Sequence, residues 1–228
     1  MPKLPDLRER SREPELLDLG GVPEAEVEAS LADIRLVNTW LGGHRTFERL
    51  LRPFLRDDRP VSLLDVGCGS ADLPARLLGR HGRLRVVGLD LKPGHLRHTP
   101  PEVQRVAGDV FAPPFADRSF DVVACSLFLH HLDGADVARA LAGLWRLARR
   151  ALVVNDLRRA QVPHAFARLV FPRLFRSPVS VHDGLVSIRR SFTPGELRAA
   201  FVDAGLPDPE VRRVFPYRLA AVAVRRES

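Results

Sequence analysis

Residues 63–73 read Leu63-Leu64-Asp65-Val66-Gly67-Cys68-Gly69-Ser70-Ala71-Asp72-Leu73. An apolar run enters a glycine turn and leaves it on a helical pattern. Strand, glycine turn and helix in that order aim backbone N–H groups at a bound ligand, as in doubly wound α/β sheets. A dinucleotide loop carries a third glycine at the position of residue 72, for close helix–strand packing beside a pyrophosphate. This chain has Asp72 there. A carboxylate repels phosphate and suits a cationic, amine-bearing ligand.

The same rhythm continues outward. Arg85-Val86-Val87-Gly88-Leu89-Asp90 is a second buried-type strand, and its terminal acid lies 21 residues after Gly69, where a strand-end carboxylate accepts ribose hydroxyls. A third strand, residues 103–107, ends in Gly108-Asp109. A fourth, residues 120–125, runs into Ser126-Leu127-Phe128-Leu129-His130-His131-Leu132. With these four ordered strand ends the chain resembles the class I methyltransferases that depend on S-adenosylmethionine (SAM). The resemblance covers roughly residues 60–225. It implies a Rossmann-like, doubly wound α/β fold: a seven-stranded, mostly parallel sheet with one antiparallel strand in a C-terminal hairpin.

The segments between the strand ends agree with that plan. Residues 1–22 are charged, proline-bearing and aperiodic, which predicts a loosely ordered arm. Pro23 opens a helix with Val27, Leu31, Ile34 and Leu41 at helical spacing, stopped by Gly42-Gly43. A second short helix is expected over 46–55 and another over 72–80. Asp133 is a candidate N-cap for a helix through Arg149, with Val137, Leu141, Leu144 and Ala148 inward. A fifth strand, 151–155, ends in Asp156-Leu157-Arg158-Arg159. Thr193-Pro194-Gly195-Glu196 reads as a capping box, Gly205 as a stop, and residues 211–215 with 218–224 as the closing hairpin. The expected division is an arm and helices over 1–59 that cover the cofactor site, then the main domain over 60–228 with an insert at about 157–192.

Composition narrows the class. At 228 residues, with 45% apolar and 28% charged content, the chain fits one soluble domain. The start, Met1-Pro2-Lys3-Leu4-Pro5-Asp6, lacks a signal-peptide core, and Cys68 and Cys125 are the only cysteines. Both features suggest a reducing, cytoplasmic setting. Both cysteines are expected at cofactor-facing strand ends, Cys68 as a small turn filler rather than a nucleophile. The net charge of +7 and pI near 10.7 raise nucleic acid as a partner. Lysine occurs only at Lys3 and Lys92, and the arginines are spread without interleaved aromatics, so a solvated surface is favoured over an RNA-binding face.

The resemblance assigns roles residue by residue. Gly67, Cys68 and Gly69 would pass the methionine part of SAM. Asp65 would bind its amino group through water or brace the loop. Asp72 would contact that amino group or cap the helix that follows. Asp90 would accept the ribose hydroxyls and Leu91 cover one adenine face. Asp109, with Val110, would read the adenine amine, unless it is a turn aspartate. Ser126 completes the set; Asn38 and Arg45 either close over the cofactor or sit on an exposed helix end. Ala71 replaces a frequent glycine. For catalysis an imidazole base is wanted. His131 is favoured, with His130 packing or capping because neighbours should not both enter the pocket. His182, oriented by Asp183, is the other candidate, unless His182-Asp183-Gly184 is a surface turn.

The insert should roof the acceptor, with Phe166, Phe171 and Arg158 as substrate contacts. The alternative readings are a lid helix that simply packs on the domain and a segment that docks shallowly on a membrane. No metal is expected, since Asp156 stands alone at its strand end. Asn155-Asp156-Leu157-Arg158-Arg159 and Ser191-Phe192-Thr193-Pro194-Gly195-Glu196-Leu197 resemble small bacterial O-methyltransferases of polyketide or quinone biosynthesis. The expected function is therefore methylation of a hydroxyl on a small phenolic or quinol acceptor by a monomer or homodimer. Carbon methylation of a quinone precursor and RNA methylation are the alternatives. Pro113-Pro114-Phe115 precedes the fourth strand and so is not an amino-methylating motif.

Overall fold

Five apolar runs pair in parallel: β1 (Val61–Val66), β2 (Leu84–Asp90), β3 (Gln104–Ala107), β4 (Phe120–Ser126) and β5 (Ala148–Leu157). Then β6 (Glu210–Val214) and β7 (Arg218–Val224) form the hairpin, β7 running antiparallel to both β5 and β6. The computed structural model describes residues 5–56 and 59–225; Met1, Pro2, Lys3 and Leu4, on which the leader argument rests, lie outside them. The sheet order is β3-β2-β1-β4-β5-β7-β6. Strand order reverses between β1 and β4, and in such sheets the crevice at that switch point takes the ligand.

Both faces of the sheet are covered, which is why its strands read as continuous apolar runs. Leu63, Val122 and Val153 face one layer with Phe47, Leu51, Leu73 and Leu77. Those four come from α3 (Gly43–Leu51) and α4 (Asp72–Leu78). Leu64, Val123 and Leu152 face the other with Leu141, Leu144, Leu197 and Phe201, from α6 (Ala135–Leu147) and α9 (Pro194–Asp203). The capping box at Thr193 and Glu196 is formed. No helix among the described residues is long and apolar enough to cross a membrane.

The remaining helices gather over the carboxyl ends of the strands: α1 (Leu16–Leu19), α2 (Glu24–Trp40), α5 (Pro93–Leu96), α7 (Gln161–Leu174) and α8 (Pro178–Arg190). Here the structure corrects several expectations. The arm is pinned rather than loose: the Ser11 N–H donates to the Arg189 carbonyl, and the Leu16 and Leu17 N–H groups donate to the two Asp183 carboxylate oxygens at 2.8 and 3.0 Å. Asp183 and its neighbours are therefore no surface turn. They lie inside α8, and Gly184 is there because a Cβ would stand 2.7 Å from the Phe171 ring. The insert holds two helices packed on each other, with Pro172 accommodated in the last turn of α7. Asp133 does not cap α6, whose N-cap is Gly134. Cys125 is buried in the core beside α6 rather than at the ligand crevice.

Candidate active site

A cavity of about 500 Å³ opens beyond the carboxyl ends of β1 and β4. At one end stands the glycine turn. Gly67 has φ +63°, and a Cβ there would lie 2.3 Å from the Phe128 ring. Only glycine meets both conditions. Ala71 also sits in the left-handed region, at φ 51°, a conformation that costs an L-residue roughly 1–2 kcal/mol. Cys68 lines the cavity, but burial beside Asp65 and Asp90 pushes its thiol far above the usual range. It is a filler, not a nucleophile.

Three carboxylates surround the turn. Burial, reinforced by the charges of Asp72 and Asp90, drives the Asp65 carboxyl well above the normal carboxylate range. Burial also acts against Asp90, but it is outweighed. His95 and the N–H groups of Lys92 and Gly69, each 2.9 Å from a carboxylate oxygen, hold Asp90 below its ordinary value. Asp72 does not cap α4; it faces the His44 ring nitrogen at 2.9 Å and accepts from the Asn38 amide at 3.3 Å. Asn38 is fixed in turn by Arg218 at 3.0 Å, whereas Arg45 is exposed and points elsewhere. Leu91, Asp109, Val110 and Ser126 all line the cavity. Asp109 also accepts from the Phe111 N–H at 2.9 Å, so its turn role is realised as well. The clustered carboxyl groups of Asp65, Asp72 and Asp90 and the open glycine backbone fit a ligand bearing an ammonium group.

The wall between the two ends is the 3-10 turn Leu129–His131. Its tight winding brings both imidazoles to the cavity, stacked with ring centroids 4.4 Å apart. The expectation that only one could enter is thereby corrected. His130 Nδ1 lies 2.6 Å from Asp156 and Nε2 lies 3.5 Å from Glu15. Burial alone would lower its pKa, but Asp156 and Glu15 raise it to about 10. The two carboxylates favour the imidazolium form of His130, which has no free lone pair to take a proton. His131 Nδ1 lies 2.6 Å from Asp18, which Lys92 also contacts at 3.1 Å. Since Asp18 accepts there, Nδ1 carries the proton. His182 sits outside the cavity, between Glu13 and Asp183. Glu15, His130 and His131 each bring a donor atom within 4.8 Å of the others, close enough for a cation, although both Nδ1 atoms are already engaged with carboxylates.

Residues 64–151 match the family described as methyltransferase domain. The chain carries a class I SAM-dependent methyltransferase domain. SAM is accordingly the cofactor. The chain is 31% identical over 164 residues to a malonyl-[acyl-carrier protein] O-methyltransferase of Dechloromonas aromatica, covering 70% of this chain and 56% of that protein. It is 32% identical over 110 residues to a demethylmenaquinone methyltransferase of Roseiflexus, covering 46% and 45%. The chain thus spans about half the length of these curated relatives. In fold it is similar to a SAM-dependent methyltransferase of Aquifex aeolicus, with TM-score 0.63, 16% identity and 89% and 98% of the two chains covered. A Burkholderia thailandensis 1,6-didemethyltoxoflavin-N1-methyltransferase, solved with its acceptor and S-adenosylhomocysteine, gives TM-score 0.60 at 22% identity over 96% and 94%.

The other end of the methyltransferase cavity is apolar. Pro163, Phe166, Phe171, Phe175 and Tyr217 line it, with Arg158 among them. Phe171 and Phe175 stack at 4.3 Å, and Arg158 stands 6.0 Å from the Tyr217 ring. The sequence reading named Phe166, Phe171 and Arg158 among these as substrate contacts, but it missed Tyr217 and what closes the site. Glu15 and Asp18 come from the arm. Arg190 clamps it, donating to the carbonyls of His130, His131 and Glu13, and Arg10 reaches the carbonyls of His130 and Leu132. The only sequence signal was two acids spaced one helical turn apart in an aperiodic segment. Asp183→Ala removes both acceptors of the arm's N–H groups, at about 1 kcal/mol each. It is expected to raise hydrogen exchange at Leu16 and Leu17 by at least tenfold while exchange in β4 and β5 stays unchanged. Equal exchange in both proteins would show that Asp183 does not hold the arm.

Proposed function

We propose that this chain moves the methyl group of SAM to a ring carbon of a quinol-type aromatic acceptor. The observation that carries the reading is the His131–Asp18 pair, set between an acidic cofactor end and an aromatic acceptor end. Bound SAM supplies a methyl group already activated on a sulfonium, so positioning and a deprotonated acceptor do most of the work. Imidazole is the side chain that exchanges protons near neutral pH. With Nδ1–H held by Asp18, His131 Nε2 takes the proton of the acceptor hydroxyl, and the charged His130 beside it stabilises the phenolate. The ring carbon next to that oxygen forms the new carbon–carbon bond as the carbon–sulfur bond breaks. Release of the proton on that carbon to water would restore the aromatic ring as a phenolate, to which His131 would return the hydroxyl proton, leaving S-adenosylhomocysteine as the second product.

The expectation from sequence put oxygen before carbon; the relatives weigh the other way. Besides the Roseiflexus protein, a 2-phytyl-1,4-naphtoquinone methyltransferase of Thermosynechococcus vestitus is 30% identical over 115 residues. Oxygen methylation stays as the second reading, favoured by the O-methyltransferase that matches 70% of the chain. The test is transfer from methyl-labelled SAM to a 2-polyprenyl-1,4-naphthoquinol, to simple phenols and to bulk RNA. Label in a ring methyl group, with the ring proton lost, is the expected product. Label in an ether or ester would replace the proposal with the second reading, and label in RNA would overturn both.

A further inference from the structure

The mouth of the cavity has an outer apolar rim, of which Phe166 and Tyr217 also line the cavity while Val162, Leu169, Phe215 and Trp40 do not. Along α7, Val162, Phe166 and Leu169 follow at i, i+4 and i+7 on one outward face, Val162 62% and Leu169 64% exposed. Phe166 lies 6.1 Å from Tyr217, and two residues before Tyr217 Phe215 is 90% exposed. The Phe215 carbonyl lies against Gly42, two residues after Trp40, itself 75% exposed. Large apolar side chains at this exposure, joined around one opening, mark an interaction surface rather than ordinary scatter.

Its charge is one-sided. Residues 158–182 hold five arginines and neither aspartate nor glutamate. Arg168, Arg173 and Arg176 are exposed, and none is ion-paired among the described residues. A short helix with apolar side chains outward, flanked by unpaired cations and free of acids, matches an anionic lipid surface. Apolar groups enter the headgroup boundary while arginines meet phosphates. We propose that the outer face of α7 and the β6–β7 turn dock on an anionic bilayer, so that the cavity mouth opens against lipid. The use of such docking rests on the proposed function, since a lipid-soluble quinol would enter from the membrane without crossing water. The docking itself does not depend on the acceptor.

The test is co-sedimentation of the full chain with vesicles of phosphatidylglycerol and phosphatidylcholine, and with phosphatidylcholine alone. The variants are Leu169→Asp and Phe215→Asp, neither of which lines the cavity. Their SAM affinity, equal to that of the parent, reports that they fold. The expected result is binding to the anionic vesicles only, weakened at least tenfold by either variant. No binding to anionic vesicles would overturn the inference. So would salt-sensitive binding that both variants keep, because diffuse arginine charge would then suffice. A dimer that Leu169→Asp splits, without vesicle binding, would assign the face to a second copy. Vesicle binding without methylation of any quinol would leave the docking in place and remove the acceptor class.

Discussion

Asp90→Ala is expected to weaken SAM binding by about 10²–10⁴-fold, the loss of two charge-assisted hydrogen bonds at roughly 1.5–3 kcal/mol each. The carboxylate serves the site twice. It ends β2, the neighbour of β1, where its proposed role is to accept the ribose hydroxyls of the cofactor, and it holds the Gly69 and Lys92 N–H groups that shape the turn. Both functions need an ionised acid, which the hydrogen bonds from His95, Lys92 and Gly69 secure against burial. Asp90→Asn keeps one acceptor oxygen and should fall between the two. Titration calorimetry with SAM, beside thermal unfolding to show that the domain persists, checks this. An unchanged dissociation constant would remove Asp90 from the cofactor site.

The second large effect lies in the buried pair of His130 and Asp156. Asp156→Asn is expected to destabilise the fold by roughly 3–5 kcal/mol, because it strips one partner from a buried ion pair. The pair also predicts a pH dependence with a definite sign. The folded-state pKa of His130, about 10, stands above the ordinary 6.5. Its protonated form therefore contributes its full stability below pH 6.5, and that contribution drains away as pH rises toward 10. Denaturant unfolding across this window should show stability falling with pH in the parent and a flatter profile in His130→Gln. If both proteins lose stability alike, the charge on His130 is not what β5 holds in place.

Most of the sheet was legible because burial on both faces writes itself into β1, β2, β4 and β5 as apolar runs, and each ends in a functional group. The glycine-turn end of the cavity was legible for the same reason: its lining residues Gly67, Gly69, Asp90 and Asp109 lie within a few residues of a strand terminus. What failed to read was everything made by distant contact. Nothing near His130 in sequence announces Asp156, 26 residues on. Glu15 and Asp18 sit in a stretch without periodicity, so local rules predicted looseness where Asp183 and Arg190 supply order. Consecutive histidines were expected to diverge, as they do in a strand; a 3-10 turn stacks them instead. The Asp-Gly pair at 183–184 carries the strongest local turn signal in the insert, yet each residue is there for a tertiary partner.

That pair also bears on how the acceptor end tolerates change. Asp183 and Gly184 hold different neighbours, the N–H groups of Leu16 and Leu17 in the arm for one and the Phe171 ring for the other. For redesign, position 184 is a dial on cavity width. Each carbon added there must move an aromatic wall, and the adjacent residue leaves no freedom to rotate the helix out of the way.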